Sequence, residues 1–460
     1  MTPTSLDFTH DRATRSWVDS ANDGHTDFPL QNLPLAIFRR LGTSEPWRGG
    51  VAIGEQVLDL AALAACRHEA VDAGLATMAI EPARQALQAC AAPTLNDYLA
   101  LGRPAWRALR HALFALLRAD APPAARDKLT AMLVAQADVE HALPAQVGDY
   151  TDFYTSIHHA LNVGRLIFPD NPLTPNFQWL PIAYHGRASS LRVGQPGFGF
   201  HRPRGQAMPP GAAAPVYTPC TRLDFELEMG FFIGPGNELG APIALRNAED
   251  HIAGMCLLND WSARDHQFWE MAPLGPFLGK NFCTTVSPWL VSLEALAPFR
   301  TPFNRPAHDP QPLPYLEDPG QRACGGIDVQ LEVRIDTAAH RAAQREASTI
   351  ARTSFRHQYW TIGQMVAQHT VGGCNLQPGD LIGTGTVSGP TPSEAGAIVE
   401  LSRGGREPIT LAATGEHRTF LEDGDTVILR GWCEREGAAR IGFGECRGTV
   451  WPAVAQPAAD

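Results

Sequence analysis

At Pro144 the chain changes texture, and that change limits the fold more than any other feature of its 460 residues. From about residue 60 to 142 the sequence is rich in Ala, Leu and Arg at helical spacing. Trp106, Leu109, Leu113, Leu116 and Leu117 share one face after a Pro104 start. Ahead of them, FPLQNLPLAIF and GVAIGEQVLDL alternate in polarity between glycines, which predicts short strands. Beyond Pro144 the text is dense in Gly, Pro and aromatics, with the runs LDFELEMGFFI, AGMCLLNDW, SPWLVSL, IDVQLEVRI and GDTVILRGW. Helical spacing recurs there only near 247–256 and 354–370, and 194–220 reads as a Pro/Gly-rich loop. Many short strands with few crossover helices predict a mixed, β-rich α+β fold. The expected organisation is a flexible arm over 1–25, a strand-and-helix unit over 26–143 and a β-rich domain over 144–455.

Acids outnumber bases 48 to 37, giving a formal charge of −11, which argues against a nucleic-acid partner. No apolar run approaches the ~18 residues that span a bilayer, and the first residues lack an apolar leader. The chain therefore reads as cytoplasmic, with no membrane partner. Nine cysteines without a CxxC pair argue against a disulfide framework or a thiolate zinc site, and for reduced, mostly buried thiols. One imbalance points to chemistry. Only Lys128 and Lys280 among the 37 basic residues are lysines.

The sharpest local pattern is Leu223-Asp224-Phe225-Glu226-Leu227-Glu228-Met229. Strand alternation puts Asp224, Glu226 and Glu228 on one face, successive acids ~6.6 Å apart. Such acids repel one another unless solvated or bound to a cation. A solvated strand face and a site for a hard divalent ion are both consistent with the run alone. Its company favours the ion. Gly148-Asp149-Tyr150-Thr151-Asp152-Phe153-Tyr154 precedes His158-His159, Asn259-Asp260-Trp261-Ser262-Ala263-Arg264-Asp265 closes an apolar strand, and PLGPFLGK ends on Lys280. A compact ammonium set among Gly, Pro and Phe suits a small oxyanion better than a guanidinium does. Gly383-Thr384-Gly385-Thr386-Val387-Ser388-Gly389 lacks GxGxxG spacing and reads as a tight loop presenting Thr386. Neither a GxSxG elbow nor HExxH is present.

GDYTDFY with its following His, YHGRASS, LDFELEMGFFIGPGN, NDWSARD, PLGPFLGK and PGDLIGTGTVSG together resemble the fumarylacetoacetate hydrolase family. DFPLQNLP, GVAIGEQVLDL and TLNDYLALGRPAW extend the resemblance through the N-terminal half, so that about 430 residues are covered in family order. The resemblance implies an N-terminal SH3-like barrel with helices, a C-terminal mixed β-roll catalytic domain, a homodimer, and hydrolysis of a carbon–carbon bond in the diketo acid 4-fumarylacetoacetate. It implies a divalent cation, Mg²⁺ or Ca²⁺, held by Asp152, Glu226, Glu228 and Asp260, with Lys280 and Thr284 beside it. It makes His159 the general base and Glu400 the carboxylate that orients it. It makes Arg264, Gln267 and Lys280 donors to developing negative charge, and Tyr154, Tyr184, Gln267 and Thr386 substrate contacts.

Two positions depart from the family pattern. The Arg expected nine residues after the catalytic His is Phe168, with Arg165 three residues earlier, and the Tyr expected four residues after the Gln is Met271. Both departures remove polar groups and imply either a lower affinity for dianionic fumarylacetoacetate or a less polar acyl group, and a related β-diketone or acylpyruvate hydrolase is the alternative within the enzyme class. A catalytically dead, metal-stabilised scaffold is the alternative outside it. It needs the carboxylates but has no use for His159, Glu400, Arg264, Gln267 and Lys280 together.

Overall fold

The protein is described here by a computed structural model covering residues 6–75 and 80–455. Its N-terminal half builds a five-stranded antiparallel sheet in the order 133–135, 56–59, 48–53, 35–40, 139–142. The apolar faces of Phe38, Ala52, Val57, Val134 and Val139 pack together with Phe28 and Trp289. Between the third and fourth of these strands in the sequence run the helices, of which Arg103–Leu117 is almost wholly buried. Helical spacing was expected to continue to 142. Instead the chain turns back into strands over Leu133–Ala135 and Val139–Ala142, which complete the sheet.

The arm expected over 1–25 is anchored at several of its described residues, with Thr9, His10, Ser16, Val18 and Ala21 buried. Phe8–His10 forms a turn of 3₁₀ helix capped by Asp7, and Thr9 and His10 are buried. His10 Nε2 meets the carbonyl of Glu294 at 2.8 Å, and the buried Arg110 donates to Thr9 and to the carbonyls of Gln31 and Asn32. The segment looked structureless because its partners lie about 100 and 280 residues away. Burial works to raise the Asp7 carboxyl, but hydrogen bonds from Thr9 and His111 outweigh it and hold the group well below its usual range. A depressed folded-state value stabilises the protein above the unfolded value near 3.9 and loses that contribution as pH falls below it. Asp7→Ala is therefore expected to lower stability by about 1–2 kcal/mol at pH 7, with the difference shrinking toward pH 3 in urea titrations.

The C-terminal half is built around two large sheets. A seven-stranded mixed sheet runs 182–185, 150–154, 381–383, 227–233, 252–260, 284–286, 191–193, with parallel pairs only at 381–383/150–154 and 284–286/191–193. A five-stranded sheet runs 348–354, 330–336, 426–433, 441–451, 199–201. Leu227, Met229, Leu257, Leu331, Leu429 and Phe443 join both sheets in one core. The other side of the seven-stranded sheet, through Phe232, Leu258 and Leu381, packs on the N-terminal helices.

Three local expectations change. Residues 252–260 are strand preceded by a 3₁₀ turn over Leu245–His251, because each residue of the strand is buried and apolar periodicity cannot separate helix from strand there. The stretch 354–370 is helical only over a 3₁₀ turn at Phe355–His357 and over Ile362–Thr370. The loop over 194–220 contains strands Gly199–His201, Arg204–Ala207 and Val216–Pro219.

Candidate active site

Three strands and one strand break deliver the acids to one point. Asp152 lies on Tyr150–Tyr154, opposite Tyr184 on one side and Gly383 on the other. Glu228 lies on Leu227–Ile233, and Asp260 ends the neighbouring strand Ile252–Asp260 opposite Thr284. Glu226 sits where the strand breaks: Leu223–Asp224 pairs with Ser262–Ala263, and Glu226 is bridged to Ala397. One carboxylate oxygen from each of Asp152, Glu226, Glu228 and Asp260 lies within 4.8 Å of the other three, and all four residues are buried. The solvated-face reading of this run is thereby overturned.

Asp224 does not share their face. The break in the strand cancels the period-2 relation, and Asp224 instead accepts from the backbone N–H groups of Ile398 at 2.7 Å and Val399 at 3.1 Å and from Arg264 Nε at 2.8 Å. It anchors the short helix Ile398–Leu401, which carries Glu400.

Two buried cations meet these five acids. Lys280 Nζ donates to Glu226 and, at 2.7 Å, to Asp260 Oδ2, and Arg264 Nη1 lies 2.8 Å from Glu226 Oε1. Burial acts to raise Glu226, but Lys280, Arg264 and His159 bring it down to about 2. Asp152 and Glu228 are pushed well above the usual carboxylate range by burial and by the other acids. Asp152 Oδ1 and Glu228 Oε1 have no hydrogen-bond partner among the described residues. A Cβ at Gly383 would stand 2.8 Å from Asp152 Oδ1 and 3.1 Å from Glu228 Oε2. Gly385, at φ +76°, turns its N–H to Glu228 Oε2 at 3.0 Å. The GTG loop thus leaves open space beside the acids and lends them a backbone donor. Orphaned buried oxygens from an all-carboxylate set fit a hard divalent cation. Thr284 Oγ1 donates to Asp260 Oδ1 at 2.9 Å, as expected of a residue beside such a site.

His159 and Glu400 come from separate elements. Ser156 caps the helix Ile157–Ile167, whose first turn holds His159. His159 Nδ1 lies 2.6 Å from Glu400 Oε1, and its Nε2 lies 4.0 Å from Glu226 Oε1. Burial opposes ionisation of Glu400, yet His159, Asn162 and Ser388 hold it below the ordinary carboxylate value. An ionised carboxylate can only accept, so Nδ1 carries a proton toward Glu400 and Nε2 is the ring nitrogen that faces the acid cluster. Asn162 and Ser388, which donate to Glu400 at 2.8 and 2.9 Å, were not singled out from the sequence. Asn162 stands three residues after His159 on one helix face, a spacing that could have identified it. Ser388 had no local signal.

A cleft of about 220 Å³ opens onto this cluster. Tyr154, Tyr184, Gln267 and Thr386 line it, as do His159, Arg264 and Lys280. Tyr184 is already engaged: its hydroxyl lies 2.8 Å from both Asp152 Oδ2 and Asp260 Oδ2. Gln267 accepts from Arg264 Nη1 at 3.1 Å, and Tyr154 sets its ring edge-on to His159 at 5.4 Å. Phe168 and Met271 both line the cleft, on a wall shared with Ile167, Leu173 and Phe268. Arg165 is exposed and reaches toward Asn162 rather than into the cleft.

Residues 31–144 match the family profile described as fumarylacetoacetase N-terminal, and residues 150–451 that described as fumarylacetoacetate (FAA) hydrolase C-terminal. A fumarylacetoacetase of Oryza sativa subsp. japonica is 47% identical over 446 residues, covering 96% of this chain and 98% of its own. Those of Bos taurus and Homo sapiens are 46% and 45% identical over 443 residues, covering 95% of this chain and 99% of theirs.

Proposed function

The chain belongs to the fumarylacetoacetase family, and on that premise we propose that it hydrolyses the carbon–carbon bond of 4-fumarylacetoacetate, giving fumarate and acetoacetate at the end of tyrosine and phenylalanine breakdown. The observation that carries this reading is the His159–Glu400 pair at 2.6 Å, set beside the four-carboxylate cluster on one cleft.

Asp152, Glu226, Glu228 and Asp260 would hold the divalent ion, Mg²⁺ or Ca²⁺, in this reading. When bound, such an ion acts as a Lewis acid toward a diketone oxygen. His159 Nε2 takes a proton from water attacking the carbonyl that bears the fumaryl group, while Glu400 fixes the tautomer and steadies the imidazolium. Arg264, Gln267 and Lys280 donate to the oxyanion that develops, each such donor being worth roughly 3–4 kcal/mol. Collapse of that oxyanion breaks the bond to the neighbouring methylene carbon, which takes back the proton held by the His159 imidazolium and leaves as acetoacetate. Tyr154 and Thr386 contact the substrate, and Tyr184 contributes through the acids it bridges. Burial of His159, Arg264 and Lys280 with the four acids strengthens the electrostatic interactions among them. The apolar wall with Phe168 and Met271 favours, as a second reading, turnover of diketo acids with less polar acyl groups.

The expected result is loss of the fumarylacetoacetate absorbance with this protein, abolished by a chelator and restored by Mg²⁺ or Ca²⁺. Turnover that survives exhaustive chelation would sink the metal assignment, and the same assay on simpler diketo acids separates the two readings. The proposal extends to an SH3-like closure of the N-terminal sheet and a β-roll catalytic domain over 144–455, with the junction supported by two profiles that meet between 144 and 150. Family membership supports a homodimer. Nine free cysteines support a cytoplasmic setting, and no described helix is long and apolar enough to cross a membrane.

A further inference from the structure

The helix Arg264–Glu270 has two occupied faces. Arg264, Gln267 and Phe268 line the cleft, whereas Asp265 and His266 do not. They meet Cys220, which follows the strand Val216–Pro219. One donor atom from each of Cys220, Asp265 and His266 lies within 4.8 Å of the other two. Cys220 Sγ donates to Asp265 Oδ1 at 2.9 Å, and Asp265 Oδ2 accepts from the N–H and hydroxyl of Thr221 at 2.7 and 2.8 Å. His266 is the observation that raises this above a chance cluster. It is 1% exposed, yet neither ring nitrogen has a hydrogen-bond partner among the described residues. The ring lies against Gly205, where a Cβ would come within 2.9 Å of Nδ1. A fully buried imidazole with both nitrogens unmet is costly to desolvate, and coordination is one way to satisfy it.

We propose that Cys220, Asp265 and His266 form a second metal site, selective for Zn²⁺ or a similarly borderline-soft ion and chemically distinct from the carboxylate cage. A sulfur, an imidazole nitrogen and a single carboxylate suit Zn²⁺, whereas Mg²⁺ and Ca²⁺ take oxygen donors. Donors around a tetrahedral ion with bonds of about 2.0–2.3 Å stand roughly 3.5 Å apart, within a small side-chain adjustment of the present spread. Binding releases the thiol proton to solvent and replaces the Cys220–Asp265 hydrogen bond, while Thr221 keeps Asp265 oriented. The three ligands come from two segments, which is why a search for CxxC spacing passed over them. Ion binding ties the loop at Cys220 to the helix that presents Arg264 and Gln267.

The test uses the full chain with saturating Mg²⁺ in the cage. Titration with Co²⁺ as the probe is expected to show one further equivalent bound, with thiolate-to-cobalt charge transfer in the near ultraviolet and a tetrahedral visible spectrum. Zn²⁺ should displace it. Cys220→Ala and His266→Leu should each remove the charge-transfer band, and replacement of the exposed Cys374 by Ser should leave it intact. X-ray absorption on the Zn²⁺-loaded wild type reads the ligands without mutation and should show one sulfur at about 2.3 Å. Wild-type protein without the band, a band that persists in Cys220→Ala, or a sulfur-free zinc shell would each overturn the proposal.

Discussion

His159→Phe is expected to lower kcat by about 10²–10⁴-fold, the usual contribution of a positioned general base, with little change in thermal midpoint or divalent-ion affinity. The fold should tolerate the change because Glu400 keeps two donors, Asn162 at 2.8 Å and Ser388 at 2.9 Å. The ring it loses is flanked by Tyr154, edge-on at 5.4 Å, against which a phenyl group can pack. Steady-state turnover of fumarylacetoacetate at saturating Mg²⁺, with calorimetric ion titration of the same protein, checks both halves. Retention of most of the rate would remove His159 from the role of base.

Lys280→Met is expected to be at once a stability and an activity variant. The Lys280 ammonium lies between Glu226 and Asp260 and is itself buried. Deleting one partner of a buried ion pair leaves the other charge uncompensated, at about 3–5 kcal/mol. The metal-free variant should therefore unfold at distinctly lower urea than metal-free wild type. Divalent ion should recover part of the difference, since its charge substitutes for the one removed. Hydrolysis should fall by roughly 10²–10³-fold for loss of one oxyanion donor and stay low in Lys280→Arg, whose planar fork does not occupy the same point. Equal urea midpoints for variant and wild type in chelator would refute the electrostatic account of this residue.

The two variants read different parts of what the sequence made visible. The acids of LDFELEM, the lone lysine of the C-terminal half and the aspartates of DYTDFY and NDW stand out because buried carboxylates and a scarce residue type leave marks in composition and spacing. The long motifs carry the family resemblance. What did not stand out depends on chain reversals. The helix holding His159 is capped by Ser156, a readable signal, but its partner Glu400 is 241 residues away on a four-residue helix. Asp224 shares the alternation of Glu226 and Glu228 yet serves Arg264 and a helix end, because the strand breaks between them.

Residue type and local period thus determined by themselves that acids alternate along a strand, that helices follow strands in the N-terminal unit and that the remainder is β-rich. Only the tertiary structure decided which acids share a point, that Thr9 and His10 are buried against distant partners, and that Cys220 meets His266. The reason is physical: alternation and helical period act over a few residues, whereas a cage of charges depends on sheet register, strand breaks and loop closures that unite positions up to hundreds of residues apart.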